Sequence, residues 1–282
     1  MSWRVAVRHR TAYRYQGEVR SSYNEARVTP LTTDRQLVVE ASVRVSPPTS
    51  TYRYWDYWGT MVDAFDVHEP HRELAVTGSS VVETAPVEAY EHAGATWEQL
   101  GRPTVTDRFA ELLAPTAYVP RDDELGEVGA ALASAARTPQ DLCETAVEWV
   151  HGRLGYRQGT TNVSTTAPEA LRVGTGVCQD FAHVTLGLLR AVGVPARYVS
   201  GYTFPSARSE VGMDVEGESH AWVEAWTGDW VAVDPTHAVP VGERHVIVAR
   251  GRDYADVAPL KGIYRGAPAE ALEVRVELTR LA

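Results

Sequence analysis

The stretch GTGVCQDFAHVTLGLLRAVGVPARYVSGY, residues 174–202, carries the strongest indication of the fold. A helical pattern begins directly after its glycines and runs over about residues 178–192. Gly193 and Pro195 then end that pattern, as a C-terminal glycine followed by proline commonly does. A strand-like run follows at 196–203. The stretch therefore predicts a buried helix that begins with a cysteine and continues into a strand.

Cys178 is predicted to lie in the first turn of this helix. There the helix dipole and the unpaired backbone N–H groups stabilise a thiolate, so we expect the thiol pKa to be lowered. The same N–H groups can receive a developing oxyanion. The alternative is that Cys178 is a small buried hydrophobic residue, which is the usual fate of a free cysteine taken alone.

A histidine and an aspartate downstream supply the partners that a thiol nucleophile needs. His220 opens the strand-like run 220–226, and Asp234 ends the next run, 230–234. A two-residue turn between them would put Asp234 on the wrong face, whereas a bulged or three-residue turn places its carboxylate diagonal to His220. We therefore predict such a turn. Because a nucleophile needs a base and the base an orienting group, Cys178, His220 and Asp234 together predict a catalytic triad.

Each of these residues also has an ordinary structural interpretation. A histidine at a strand start can face solvent or cap the strand. An aspartate before Pro235 is a common turn residue. The order of the three residues along the chain, each at the start or end of an element, makes the catalytic interpretation the stronger one.

The rest of the chain predicts an α+β protein. Apolar and polar residues alternate in the first part, with strands at 5–9, 37–45 and 74–82. A second helix is predicted at 138–154, with Thr138 as its cap, and Cys143 lies on its apolar side as a buried structural thiol. Further strands are predicted at 245–250 and 272–278. The predicted division is a small all-β N-terminal domain at 1–85, a linker with helices at 86–137, and a catalytic core at 138–282.

Composition excludes several classes of protein. The chain has 282 residues, of which 44% are hydrophobic and 23% charged, as in ordinary globular proteins. Its net charge of −10 argues against nucleic-acid and membrane partners. No apolar run is long enough to span a bilayer, and the N-terminus does not resemble a signal peptide. With two cysteines and no disulfide framework, we expect a cytoplasmic location.

Three segments, 174–202, 218–238 and 245–266, resemble the bacterial transglutaminase-like family, which belongs to the papain-like thiol enzymes. Residues 1–85 resemble the β-rich region that accompanies this family. The resemblance implies a papain-like core in which a cysteine helix packs on an antiparallel sheet. It also implies that Cys178 is the nucleophile, His220 the general base and Asp234 the orienting carboxylate.

The chemistry that the resemblance implies is acyl transfer through a thioester. The substrate would be a peptide or protein carboxamide, and the acceptor water or an amine, so the enzyme is a thiol protease or amidase, or an acyltransferase. The alternatives are a non-catalytic binding or scaffold module, and a deamidase or glycopeptide amidase. The oligomeric state is not indicated by the sequence.

Other site residues are less defined. Arg172 stands where papain-like enzymes have an oxyanion glutamine, so the candidates for oxyanion or substrate contacts are Trp222, Gln179, Gly176 and the Cys178 N–H. No cofactor is indicated, and no metal either, because Pro70 separates the histidines of the 68–71 segment. His183 and His237 are interpreted as structural. The acidic segment 203–219 is interpreted as a solvated loop, with a lid over a cationic substrate as the alternative.

Overall fold

A computed structural model describes residues 2–86, 94–204 and 210–282. Its helices are α1 (Trp97–Leu100), α2 (Pro103–Thr106), α3 (Ala110–Leu113), α4 (Asp123–Ala135), α5 (Pro139–Arg153), α6 (Ala167–Val173), α7 (Cys178–Ala191) and α8 (Tyr254–Val257). Its strands are β1 (Trp3–Ala26), β2 (Gln36–Ser46), β3 (Thr51–Trp55), β4 (Met61–Val67), β5 (His71–Thr84), β6 (Gly155–Tyr156), β7 (Thr175–Gly176), β8 (Ala196–Thr203), β9 (Asp214–Gly217), β10 (Ser219–Trp226), β11 (Trp230–Asp234), β12 (Val239–Pro240), β13 (His245–Gly251), β14 (Leu260–Gly266) and β15 (Ala269–Arg280).

The long strand β1 organises the first antiparallel sheet. Its first part pairs with β5 on one side and β15 on the other, and its last part pairs with β4 and β14. Apolar residues alternate along β1, so that Trp3, Val5 and Val7 are buried while Arg4 and Arg8 face outward. The last two strands of the chain, β14 and β15, thus complete the sheet of the N-terminal region. The predicted boundaries at 85 and 137 stay a prediction.

The second sheet and α7 form the core that carries the candidate site. The strand order is β12-β11-β10-β8-β13, and every pair is antiparallel. Residues 179–190 of α7 are all buried, because the helix packs against the sheet as well as against α4, α5 and α6. The α+β class and the cysteine helix on an antiparallel sheet are confirmed.

The two sheets meet through a few close contacts. His9 on β1 lies 2.8 Å from the hydroxyl of Tyr202 on β8, measured from Nδ1. Trp3 packs edge to face on Phe204, with ring centroids 5.4 Å apart. Gln36 bonds the backbone of Ile247 with both ends of its amide. The N-terminal sheet is therefore fixed against the sheet that carries the candidate site.

The turn between β10 and β11 has the predicted length. Trp226 pairs with Trp230, so the turn consists of the three residues 227–229. Continuing this register places Trp222 opposite Asp234, as expected from the sequence. The helices predicted at 138–154 and 178–192 are also confirmed, and Thr138 caps the first of them by accepting a hydrogen bond from the Asp141 N–H.

The acidic segment differs in part from the predicted solvated loop. Residues 214–217 form β9, which pairs with β15 at the edge of the first sheet. Residues 205–209 of that segment, and 87–93 of the predicted linker, lie outside the described residues. Within the described part of the chain, no helix is both long and apolar enough to cross a membrane.

Candidate active site

Cys178 is the first residue of α7, and the backbone before it is tightly constrained. Asp180 caps the helix, because its Oδ2 accepts hydrogen bonds from the Val177 N–H at 2.8 Å and from the Thr161 hydroxyl at 2.7 Å. A side chain at Gly176 would bring Cβ to 2.5 Å from that same Oδ2 atom. Glycine is therefore required here for the capped turn that presents the cysteine.

The cysteine sulfur lies against the backbone on both sides of His220. Sγ is 3.9 Å from the Ser219 carbonyl oxygen, and the Ala221 N–H donates a hydrogen bond to the thiolate form. Ser219 and Ala221 flank His220 on β10, so the sulfur lies against the strand segment that carries the histidine.

Burial of Cys178 opposes the predicted lowering of its pKa. Burial raises the pKa of the thiol to about 12, and the Asp234 and Glu218 carboxylates add to this effect. The N–H groups of Ala221 and Gln179 lower the pKa but do not offset the burial. At neutral pH the thiolate therefore requires a nearby group that takes the proton and carries the compensating charge.

His220 and Asp234 are in direct contact. The distance from His220 Nε2 to Asp234 Oδ2 is 2.9 Å, and both side chains are buried. Nδ1 of His220 takes no part in this bond. The structure thus places Asp234 against His220, and the Cys178 sulfur against the backbone that flanks His220.

Both carboxylate oxygens of Asp234 accept hydrogen bonds. Its Oδ2 also lies 2.9 Å from Nδ1 of His237 and 3.3 Å from Nε2 of His245. Its Oδ1 accepts from the backbone N–H groups of Thr236 and His237. Burial alone would raise the pKa of Asp234, but the three imidazole hydrogen bonds and the charge of His220 hold it well below its usual range.

His245 is a buried donor whose tautomer is set by the backbone. Its Nδ1 accepts from the Gly242 N–H at 3.2 Å, so the ring proton lies on Nε2, which faces Asp234. Burial lowers the pKa of His245, and because its Nδ1 is an acceptor the ring is neutral. Sequence reasoning did not single out His245, although it begins a strand as His220 does. His237, interpreted as structural, also contacts the site, and its ring centroid lies 4.8 Å from that of His220.

Within the described part of the chain, one group of residues could hold a metal ion, namely His220, Asp234 and His245. Ligand atoms of His220, Asp234 and His245 lie within 4.8 Å of one another. The nitrogen that His245 presents to this group carries a proton, however, because its other nitrogen accepts from Gly242. A metal would need that lone pair, so the arrangement fits a hydrogen-bonded cluster better than a metal centre.

The four candidates for oxyanion contacts differ in their hydrogen-bond partners and in their burial. The side-chain amide of Gln179 donates to the Val163 carbonyl oxygen at 3.2 Å, and the Gly176 carbonyl accepts from the Arg157 N–H at 2.8 Å. Trp222 is fully buried, and its ring packs beside those of both His220 and His245. The Cys178 N–H, at the end of the helix where intrahelical acceptors are lacking, is the best placed of the four.

An exposed carboxylate lies beside the cysteine. Glu218 accepts hydrogen bonds from the Gln158 amide at 2.8 Å and from the Tyr156 hydroxyl at 3.3 Å. Burial raises the pKa of Tyr156 to about 12, and the nearby Cys178 and Glu218 add to this effect. These three side chains form one wall of the approach to the sulfur.

The remaining candidates of the sequence are structural. Cys143 is buried, and its Sγ donates to the Pro139 carbonyl oxygen at 3.3 Å. His183 is buried between the rings of Tyr118 and Tyr198. His71 Nδ1 lies 2.8 Å from the carbonyl oxygen of Glu69.

Comparison with known proteins gives matches over most of the chain. Residues 127–235 match the transglutaminase-like superfamily, and residues 5–83 match the bacterial transglutaminase-like N-terminal region. The Mycobacterium leprae protein ML0607 is 49% identical over 280 residues, and the match covers 99% of this chain and 100% of the ML0607 chain. A protein-glutamine gamma-glutamyltransferase of Pseudomonas aeruginosa is 35% identical over 104 residues, covering 33% of this chain and 15% of its own. In fold, the chain resembles a candidate cysteine protease from Cytophaga hutchinsonii with a TM-score of 0.77 at 23% identity, covering 100% of this chain and 92% of that one.

Proposed function

This chain belongs to the transglutaminase-like superfamily, and on that premise we propose that it is a cysteine-dependent enzyme that acts on carboxamides through a thioester. The observation that carries the proposal is the contact of the Cys178 sulfur with the backbone on both sides of His220, whose Nε2 is held 2.9 Å from Asp234. Without a histidine beside it, a thiol whose pKa is raised by burial would stay protonated at neutral pH.

In the proposed reaction, Cys178 transfers its proton to Nδ1 of His220, and the sulfur attacks the carboxamide carbonyl carbon. The oxyanion that forms is received at the N-terminus of α7, where the Cys178 N–H points. The C–N bond then breaks, and His220 returns the proton to the leaving ammonia or amine. The acyl group remains on sulfur as a thioester. Water or a second amine attacks the thioester, and His220 accepts its proton. The C–S bond then breaks, and His220 returns the proton to the sulfur, which restores the thiol.

Asp234 is proposed to fix the tautomer of His220 and to balance the imidazolium charge. Its pKa lies well below the usual range, so it stays ionised throughout the reaction. Because Nε2 of His220 donates to it, the lone pair of the neutral imidazole lies on Nδ1, where a base is needed.

The outcome depends on which acceptor attacks the thioester. Hydrolysis gives a protease or amidase, and transfer to an amine gives an acyltransferase, with the same steps up to the thioester. Glu218 favours a cationic amine as the second acceptor, because its exposed carboxylate lies at the approach to the sulfur. A peptide or protein carboxamide as substrate, a cytoplasmic location, and the lack of nucleic-acid and membrane partners are parts of this proposal.

The test uses two carboxamide substrates, a glutaminyl dipeptide and β-casein, each with and without the fluorescent amine monodansylcadaverine. Ammonia release, new peptide termini and incorporated fluorescence are measured separately. We expect turnover that is lost in Cys178→Ala and His220→Ala. The matched control is Cys143→Ala, since Cys143 is a buried thiol away from the site, and it should keep its activity. Equal turnover in Cys178→Ala, or none in the unaltered protein on any substrate, would favour the scaffold alternative.

A further inference from the structure

One edge of β15 is only partly covered within the described residues. β9 pairs with residues 276–279 of β15, and after Gly217 the chain leaves this sheet for β10. Residues 269–275 continue beyond this point with exposed side chains. The described parts of the chain therefore leave a stretch of strand edge without a neighbour.

The backbone groups on this edge can be identified from the register. The Arg280 carbonyl accepts from the Gly212 N–H on the β9 side, whereas the Leu281 N–H donates to Arg4 on the β1 side. Backbone groups of successive residues in an antiparallel strand face opposite edges. Counting back in steps of two from Arg280, the N–H and C=O groups of Leu272 and Val274 face the uncovered edge.

The side chains along this edge are apolar and exposed. Leu272 is 56% exposed and Val274 51% exposed. Leu272 pairs with Tyr13 on β1, so the two side chains lie on the same face of the first sheet. Further along β1 and β15, this face packs on the second sheet. Proteins generally protect or blunt an apolar strand edge, because it pairs readily with another extended chain.

The uncovered edge begins next to the segment that leads to Cys178. Gly217 is the last residue of β9, and Ser219 follows two residues later, at most about 7 Å along the chain. The Ser219 carbonyl oxygen is 3.9 Å from the cysteine sulfur.

A second observation relates the face of Tyr13 and Leu272 to the Cys178 sulfur. Burial raises the pKa of Tyr254, and Tyr118, Tyr13 and Cys178 add to this effect because they lie near its hydroxyl. The rings of Tyr118 and Tyr254 lie edge to face, with centroids 6.2 Å apart. Tyr13, which lies opposite Leu272, and Cys178 are therefore both neighbours of Tyr254.

We propose that the uncovered edge of β15 at residues 269–275 binds an extended polypeptide as an added strand and carries its reacting carboxamide to Cys178. The inference rests on the proposed function and names its substrate class. Backbone hydrogen bonds to Leu272 and Val274 hold the polypeptide, and apolar side chains at alternate positions contact the face of Tyr13 and Leu272. Unfolded or loosely folded proteins are substrates, and a folded protein without a free strand is not.

Binding is tested without chemistry in the full-length Cys178→Ala protein, by the fluorescence anisotropy of labelled β-casein, which is an unfolded protein. Val274→Pro in this background removes one of the backbone N–H groups that face the uncovered edge and leaves the neighbouring pairs with β1 intact. We expect it to weaken binding at least tenfold, and the matched Val274→Thr to bind within twofold of the parent. Undiminished binding by Val274→Pro, or no binding of β-casein by the parent, overturns the proposal.

A second measurement leaves the protein unaltered, so it does not depend on how Val274→Pro folds. A labelled apolar peptide is compared with the same peptide N-methylated at alternate residues, which lacks the donors for one strand edge. We expect methylation in one of the two alternating registers to abolish binding, and equal binding of all forms contradicts strand addition. These measurements record binding and not turnover, so the two proposals can fail separately. Binding without any carboxamide turnover in the unaltered protein overturns the proposed function, and turnover without binding at this edge overturns the proposal of strand addition.

Discussion

At the scale of single residues, Asp234 is the group around which the candidate site is arranged. A buried carboxylate is costly unless it is fully hydrogen-bonded. Here imidazoles of His220, His237 and His245 and two backbone N–H groups share that task. Because His245 is neutral and fixed in tautomer, it stabilises the charge of Asp234 without cancelling it. The carboxylate can then still balance a protonated His220.

Asp234→Asn is expected to lower kcat by on the order of 10²–10⁴-fold, because an amide cannot hold the same His220 tautomer or stabilise the imidazolium. Steady-state kinetics with a carboxamide substrate measure the effect, and thermal unfolding verifies that the variant folds. Asp66→Asn is the control, since Asp66 is an exposed carboxylate whose contact is His68. An Asp234→Asn variant within threefold of the unaltered kcat would remove Asp234 from the proposed mechanism.

At the scale of elements, the approach to α7 shows how the sequence determines the site. Gly174 ends α6 in a left-handed conformation, with φ of 72°, and Gly176 leaves room for the Asp180 cap. The short strands β6 and β7 then fix this turn by pairing Tyr156 with Gly176. The cysteine is therefore held by a turn whose local requirements are readable from its residues.

Gly176→Ala is expected to destabilise the protein by about 1–3 kcal/mol, because its Cβ would displace the Asp180 carboxylate from the helix cap. Gly126→Ala is the matched control. Gly126 lies inside α4 with open space around its Cβ, so alanine there should stabilise by about 0.5–1 kcal/mol. Denaturant unfolding measures both. A Gly176→Ala protein as stable as the parent would show that the cap tolerates a side chain.

Predictions from the sequence succeeded where the signal was local. Periodicity identified α5, α7 and most strands, and the length of the 227–229 turn followed from the register that His220 and Asp234 require. The pairing of β14 and β15 with β1 was not predicted, because it joins residues more than 200 positions apart without a local signal. The role of His245 and the raised pKa of Cys178 were missed for the same reason, since both arise from tertiary burial.

At the scale of the whole molecule, buried histidines lie where the main parts of the fold meet. His9 joins the two sheets through Tyr202, and Thr11 contacts its other ring nitrogen. His183 lies inside the core on α7, where its Nε2 accepts from the Tyr254 N–H. Burial lowers the pKa of His9 to about 4 and that of His183 to about 3. Both are neutral in the folded protein at pH values where an exposed histidine is charged.

Stability is therefore expected to fall as the pH decreases below about 6.5, the ordinary histidine pKa. Below that pH the histidines of the unfolded chain bind protons, whereas His9 and His183 stay neutral in the folded protein. Their contribution to the free energy of unfolding is therefore complete above about pH 6.5. It is lost as the pH falls to about 4 for His9 and to about 3 for His183. Denaturant unfolding at a series of pH values measures this dependence. His9→Gln should make it shallower, and an unchanged slope in that variant would contradict the account of His9.

The transfer of the Cys178 proton to His220 is tested most directly by the pH dependence of Cys178 alkylation with iodoacetamide, read by intact mass. Cys143, which is buried with a pKa also raised to about 12, serves as the unreactive reference in the same molecule. With His220 present, we expect alkylation to begin near neutral pH, because the imidazolium stabilises the thiolate. His220→Ala should shift the profile towards the value of about 12 that burial gives the thiol. The same alkylation profile with and without His220 would contradict the proposed activation of Cys178.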